Sequence, residues 1–173
     1  MGDRVEIFEV GPRDGLQNEK REIPVAEKVA LVDCLSQAGF NRIEVASFVS
    51  PKKVPQMAGS GDVLTGIKRA DGVRYAALTP NMRGYDDAVS AKADEIAVFA
   101  SASEGFSKAN INATIEESVE RFKPVLEAAR HIDLPVRGYI SCVTDCPYDG
   151  ATAPEKVAEM ADRLFALGCY EIS

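Results

Sequence analysis

The sequence predicts an α/β fold with a parallel sheet, on three observations. Short β-rich runs alternate with amphipathic helical patterns from end to end. No linker, low-complexity tract or charge block separates them. The connections are also unequal, short from helix to strand and long from most strands to the next helix. A strand every ~20–40 residues with a crossover helix fits both an open doubly wound sheet and a (β/α)8 barrel. The Gly-x-Gly-x-x-Gly fingerprint that favours a dinucleotide-binding sheet is missing after the first strand. A whole barrel normally takes ~250 residues, and this chain has 173. A barrel reading is therefore a reading of an incomplete barrel.

The elements follow in order. The first strand is placed at Val5–Val10, and the first helix runs from about Pro24 to Gln37. Proline suits a first turn, Val25, Val29 and Val32 share one face, and Gly39 supplies the stop. Strands two to four are placed at Arg42–Ala46, Arg74–Leu78 and Glu95–Ala100. The fourth helix opens on Thr114-Ile-Glu-Glu117, a capping-box pattern, and Pro124 inside it predicts a bend. Strand five spans Val136–Ser141, the fifth helix opens at Thr152-Ala-Pro-Glu155 and closes at Gly168, and an incipient sixth strand covers Tyr170–Ser173. The long strand exits, Gly11 to Ile23, Ser47 to Gly61, Ser101 to Asn112 and Cys142 to Thr152, read as polar loops bearing Gly, Pro or both. Such loops build the active site in parallel α/β folds, so the chemistry is expected there.

Composition narrows the class. Hydrophobic residues make up 46% of the chain, enough for one globular domain over residues 1–173, and this excludes disorder. No apolar run reaches the ~18 residues of a membrane helix, and the opening Met1-Gly-Asp-Arg-Val-Glu6 lacks a signal-peptide core, so a cytoplasmic protein is expected. A net charge of −7 argues against nucleic acid or a membrane surface as partner. Cys34 and Cys169 sit in apolar periodic segments, where a reduced, buried thiol is ordinary. Cys142-x-x-x-Cys146 stands apart, without histidine or further cysteine at zinc spacing.

The first strand exits into Val10-Gly-Pro-Arg-Asp-Gly-Leu-Gln-Asn-Glu19, which packs an arginine, a carboxylate and an amide into one loop. Either these side chains converge on a small site, or Arg13 and Asp14 form an ion pair in a turn that Gly15 kinks. The only histidine, His131, falls at a helix exit on the face opposite the strand-exit loops and reads as a surface residue. Lys52 and Lys53 read as solvated charge rather than as a Schiff-base lysine. With Arg13, Lys20, Arg21 and Lys108 they place a basic rim on the strand-exit loops of an acidic chain.

Gly11-Pro-Arg-Asp-Gly-Leu-Gln-Asn-Glu19, Val45-Ala-Ser-Phe-Val-Ser-Pro-Lys52, Val54-Pro-Gln-Met57, Leu78-Thr-Pro-Asn81, Asn110-Ile-Asn112, Arg137-Gly-Tyr-Ile-Ser-Cys142, Cys146-Pro-Tyr and Gly168-Cys-Tyr-Glu-Ile-Ser173 together resemble the 3-hydroxy-3-methylglutaryl-CoA lyase family. Related isopropylmalate and homocitrate synthases share the Arg-Asp-Gly core but usually not Leu-Gln-Asn-Glu. The resemblance implies a (β/α)8 TIM barrel, present here as about five and a half βα units. It also implies cleavage of 3-hydroxy-3-methylglutaryl-CoA to acetyl-CoA and acetoacetate, a reverse Claisen reaction of leucine degradation and ketone-body formation.

By the same resemblance, Asp14 is the carboxylate ligand of a divalent cation, Mg²⁺ or Mn²⁺. Arg13 is the catalytic arginine that steadies the thioester enolate. Gln17 and Glu44 match polar positions near the site. They orient substrate or Arg13, or Glu44 is a barrel-interior carboxylate paired with Arg13. Tyr139, Ser141 and Ser173 lie near the expected mouth, either bonding substrate oxygens or packing as wall residues. The expected partners are a CoA thioester substrate, which the basic rim suits, and a second copy in a homodimer at full length. The family's two metal-binding histidines, its metal-binding asparagine and its glycine-rich loop bearing a cysteine are absent from this sequence, so a weakly metal-binding, poorly active partial chain with exposed sheet edges is expected. A related synthase joining acetyl-CoA to a 2-oxo acid, or an inactive half-barrel acting as a binding module, are the alternatives.

Overall fold

The computed structural model describes residues 5–173. They form eight strands, six α-helices, one π-helical turn and one 3-10 turn. Helix follows strand in the βα succession of a (β/α)8 barrel, which runs through five units and ends in the strand of a sixth. The residues divide into two compact units, one reaching Thr79 and including Arg83–Glu95, the other made of Pro80–Met82 and Ile96–Ser173.

In the first unit, β1 (Phe8–Glu9), β2 (Arg42–Ser47) and β3 (Arg74–Leu78) run parallel in chain order. Strand β1 is shorter than the predicted Val5–Val10, because only Phe8 and Glu9 find partners, in Arg42 and Ile43. Val5 and Ile7 stay exposed. Helix α1 (Val25–Ser36) turns Val32 and Ser36 inward, and Tyr75 of β3 meets Ser36. Its hydroxyl donates to Ser36 Oγ at 2.9 Å and accepts from the Ala70 N–H at 2.9 Å, so a large ring is buried with its polar tip satisfied. Cys34 is exposed rather than buried. It lies two residues, about 200° of helical rotation, from Val32, so the apolar face of α1 does not include it.

Lys28, on the buried side of α1, was not foreseen as a structural residue. Its Nζ donates to the carbonyls of Gln56 and Ala58, the latter at 3.1 Å, and so pins the loop after β2 with its 3-10 turn (Pro55–Met57). Burial holds its ammonium below the ordinary lysine range, against the opposing pull of Glu22. Helix α2 (Ser60–Gly66) follows. Ser60 Oγ contacts three backbone groups: the carbonyls of Ser47 and Met57, each at 2.8 Å, and the Ser47 N–H at 3.3 Å. The unit also holds most of helix α3 (Met82–Ser90). Arg42 is buried, donates to the wholly buried Glu95 at 2.6 Å and lies 4.4 Å from the Phe8 ring centre.

In the second unit, β4 (Glu95–Ser101) from Ile96 onward, β5 (Val136–Ser141) and β8 (Glu171–Ile172) run parallel. The predicted loop from Ser101 to Asn112 instead contains helix α4 (Glu104–Ile111), whose Ser103 cap accepts from the Phe106 N–H. A serine cap followed by a short apolar pattern was the available signal. The predicted loop after β5 contains a small hairpin, β6 (Asp145–Cys146) against β7 (Gly150–Ala151). Helix α6 (Pro154–Leu167) packs Leu164 toward β5 at Gly138, where a Cβ would stand 3.0 Å from the side chains of Leu164 and Ile172. Any larger residue would push helix and strand apart.

Helix α5 (Ile115–His131) continues across Pro124 and buries Phe122, Val125, Leu126 and Ala129. Its capping box is formed: the Thr114 hydroxyl accepts from Glu117 N–H at 3.0 Å, and the Glu117 carboxylate accepts from Thr114 N–H at 2.8 Å. Thr114→Ala is expected to destabilise the protein by about 1 kcal/mol, the usual worth of such a cap. Urea denaturation should show a lower midpoint at unchanged slope.

Candidate active site

Beyond β1 the chain winds into a π-helical turn, Gly11–Gly15. The Val10 carbonyl accepts from both Arg13 N–H (3.1 Å) and Asp14 N–H (2.7 Å), while Gly11 N–H donates to the Glu9 carboxylate at 2.6 Å. Pro12, which has no N–H to satisfy, is the buried residue of the turn. Single π turns recur at functional sites because they re-aim side chains out of ordinary helical spacing. Here the turn sends Arg13 against β2, whose register slips between Glu44 and Ala46.

The result is one guanidinium holding two carboxylates. Arg13 Nε pairs with Glu44, and Nη1 donates to Asp14 Oδ1 at 2.7 Å. Glu44 is wholly buried, the Arg13 side chain is 11% exposed and that of Asp14 is 57% exposed. Arg13 and Asp14 form the ion pair that was one of the two expectations for this loop, and Arg13 also pairs with Glu44 of β2. The pair with the open Asp14 is a surface pair of the kind worth at most about 1 kcal/mol, so it does not lock that carboxylate away. Formal charges of +1, −1 and −1 leave the cluster one negative charge, carried outward by Asp14.

Asp14 therefore presents a hard oxygen donor at an accessible position, which fits one ligand place on an oxygen-preferring divalent cation. Glu44 lies behind Arg13 and is spoken for by it. Among the described residues there is no group of three or more His, Cys, Asp or Glu side chains that encloses a cation. Gln17 lies just past the turn, half-buried, and is not hydrogen-bonded to Arg13, Asp14 or Glu44. Ser47, at the exit of β2, had been assigned no role. Its hydroxyl is buried with no hydrogen-bond partner, a costly arrangement that is common where a ligand supplies the missing bond.

The second unit carries the other candidates. Tyr139 on β5 is half-buried, with the Arg137 guanidinium 5.3 Å from its ring centre. Arg137, also unassigned beforehand, is buried and ion-paired to Glu171 of β8 at 2.5 Å. Its two-residue offset from Tyr139 puts both side chains on one face of the strand, the signal that would have found it. Ser141 is half-buried, and its carbonyl accepts from Ala102 N–H at 3.0 Å. Ser173 is exposed, and its backbone continues the β5–β8 ladder through Gly138 and Ile140.

Of the basic residues on the strand exits, Lys20, Lys52 and Lys53 are exposed, whereas Lys108 stands on α4 rather than in a loop. Arg21 is engaged by Glu27 at 2.7 Å. His131 is exposed at the end of α5.

Residues 4–173 match the model of the HMGL-like family. The chain is 59% identical to the 3-hydroxy-3-isohexenylglutaryl-CoA/hydroxymethylglutaryl-CoA lyase of Pseudomonas aeruginosa, over 98% of the chain and 57% of that protein. It is 57% identical to the cytoplasmic 3-hydroxy-3-methylglutaryl-CoA lyase of Mus musculus, over 100% of the chain and 50% of that protein. The crystal structure of a hydroxymethylglutaryl-CoA lyase from Pseudomonas aeruginosa superposes with a TM-score of 0.95 at 59% identity, covering 98% of this chain and 56% of that one. An Acinetobacter baumannii HMG-CoA lyase, solved with coenzyme A and 3-methylmalate, superposes with a TM-score of 0.93 at 34% identity, covering 97% and 55%. The chain thus spans about half the length of the curated relatives it matches.

Proposed function

Because the chain belongs to the HMGL-like family, we propose that its protein is a carbon–carbon lyase cleaving 3-hydroxy-3-methylglutaryl-CoA to acetyl-CoA and acetoacetate. The observation that carries this reading is the Arg13 guanidinium fixed between a buried and an open carboxylate at a strand exit. A reverse Claisen cleavage removes a proton from a tertiary hydroxyl, breaks the adjacent carbon–carbon bond and leaves an enolate on the thioester fragment. Each event asks for a particular kind of group, and the cluster has two of them.

Arg13 supplies the fixed positive charge for the enolate oxygen. Its planar fork is already oriented by Glu44, so little reorganisation is needed as negative charge develops. Glu44 is in this reading a positioning residue. Asp14 would hold a divalent cation, Mg²⁺ or Mn²⁺, and such a cation would make the substrate hydroxyl easier to deprotonate. Roles in binding substrate oxygens are proposed for Gln17 and the unsatisfied Ser47 hydroxyl of the first unit, and separately for Tyr139 and Ser173 of the second. The exposed lysines Lys20, Lys52 and Lys53 suit the phosphates of coenzyme A, in keeping with the coenzyme A in the Acinetobacter baumannii structure. We assign the protein to the cytoplasm and a homodimer as its working state. No helix of the described residues is long and apolar enough to cross a membrane.

The related synthase reading uses the same enolate in the reverse sense, but the names of the curated relatives speak for cleavage. The intact protein, given 3-hydroxy-3-methylglutaryl-CoA and Mg²⁺ or Mn²⁺, is expected to release acetoacetate and acetyl-CoA in equal amounts. Free thiol produced from acetyl-CoA only when a 2-oxo acid is added would overturn the assignment.

A further inference from the structure

The exits of β4 and β5 are tied to each other residue by residue. The Ser141 carbonyl, at the end of β5, accepts from Ala102 N–H at 3.0 Å and from Ser101 Oγ at 3.5 Å. Ser101 Oγ in turn accepts from Ser103 N–H at 3.0 Å. Ser103 is the N-cap of α4 and is 4% exposed, and its hydroxyl oxygen accepts from Phe106 N–H at 3.1 Å. Past Cys142 the chain enters the β6–β7 hairpin, whose tip returns to this same end of α4.

The returning group is Asp149. Its Oδ2 accepts from Ser103 Oγ at 2.7 Å and from Gly105 N–H at 2.8 Å. The first turn of a helix leaves its N–H groups without partners inside the helix. Here Ser103 serves Phe106 from the adjoining residue, and Asp149 serves Gly105 from the hairpin. The same two bonds hold the Asp149 carboxyl below the usual carboxylate range. Cys146 braces the tip from within, its sulfur accepting from the N–H groups of Tyr148 (3.3 Å) and Asp149 (3.4 Å) and lying 2.8 Å from Ser103 Oγ. The fit leaves no room for a side chain at Gly105. A Cβ there would stand 2.3 Å from Asp149 Oδ1 and 2.9 Å from Tyr148 Cβ.

We propose that Asp149 is a positioning residue, which clamps the β6–β7 hairpin onto the start of α4 and so fixes the wall that the β4 and β5 exits present to the thioester substrate. The substrate part of this proposal rests on the lyase reading, in which Tyr139, two residues before Ser141 on β5, binds substrate. Active sites of parallel α/β barrels are built from such strand exits. A wall that is already ordered binds its ligand at a lower cost in freedom. Asp149 acts through the hairpin and not on the reacting atoms, so its loss should weaken binding and spare the chemical step.

The test pairs limited chymotrypsin digestion with steady-state kinetics on the intact protein. Tyr148, 63% exposed at the hairpin tip, offers a cleavable bond to Asp149, and the rate of such a cut follows the fraction of hairpin that is open. In Asp149→Ala that bond is expected to be cut about fivefold faster. KM for 3-hydroxy-3-methylglutaryl-CoA should rise about fivefold with kcat within about twofold, the scale of losing one helix-capping group. Asp149 is exposed, so the urea midpoint should stay close to the parent's. Asp149→Asn keeps an oxygen at the same reach and should restore both values, whereas Gly105→Ala, which pushes the hairpin away from the helix side, should reproduce Asp149→Ala. Cleavage after Tyr148 at the parent's rate in Asp149→Ala would overturn the clamp. Faster cleavage with KM unchanged, or an effect confined to kcat, would overturn its role toward substrate. A parent that releases no acetoacetate would remove the lyase reading and the substrate part with it, while the digestion still decides whether Asp149 holds the hairpin.

Discussion

Arg13→Gln in the intact protein is expected to lower kcat by at least ~10²-fold, the scale of losing one donor to a developing oxyanion. The effect should fall on kcat more than on KM, because the charge that Arg13 meets arises only as the carbon–carbon bond breaks. Its pairing with Glu44 adds a second consequence. Glu44 is wholly buried and takes part of its compensation from this guanidinium, so the same substitution should also cost stability, up to about 3 kcal/mol. Arg13→Lys separates the two effects. An ammonium restores charge beside Glu44 and should recover much of the denaturation midpoint, but it cannot reproduce the fork that serves Glu44, Asp14 and substrate together. Recovery of stability with kcat still low supports the chemical role. Wild-type kcat in Arg13→Gln, with a raised KM only, would reduce Arg13 to a binding and packing residue.

Asp14→Asn is expected to weaken Mn²⁺ or Mg²⁺ affinity by at least about tenfold and to remove most of the activity. Substitutions of residues that merely support a ligand already cost 10–100-fold, and the amide lacks the charge that holds a hard cation. Asp14 is 57% exposed, so its pair with Arg13 contributes little to folding and the variant should denature almost as the parent does. Calorimetric titration with Mn²⁺ measures the first quantity and urea denaturation the second. Equal Mn²⁺ affinity in parent and variant would remove the metal role and leave Asp14 as a partner of Arg13 alone.

The candidate site was legible to different depths. Arg13 and Asp14 were readable because an arginine beside a carboxylate at a strand exit stands out in the sequence, whereas Glu44 was singled out only by the family resemblance. That Arg13 reaches both carboxylates was left open, since it depends on a π turn and a register slip that no local propensity announces. Ser47 and Arg137 went unassigned for the opposite reason: a serine and an arginine on strands look ordinary until burial shows one hydroxyl without a partner and one guanidinium enclosed beside Glu171. Gln17, chosen for the same loop as Arg13, is not joined to it by a hydrogen bond.

The sequence alone determined the βα succession, the centres of β2 to β5, the start of α5 and the close of α6 at Gly168. Each rests on a periodicity, a cap or a breaker that acts within a few residues of the chain. Tertiary structure decided the length of β1, which extends only as far as β2 pairs with it, the α4 helix and β6–β7 hairpin inside two supposed loops, the pinning of a loop by Lys28, and the meeting of Ser103 with Cys146. These depend on which surfaces meet across the fold, where hydrogen-bond partners and burial come from residues distant in sequence, and no local pattern carries that information.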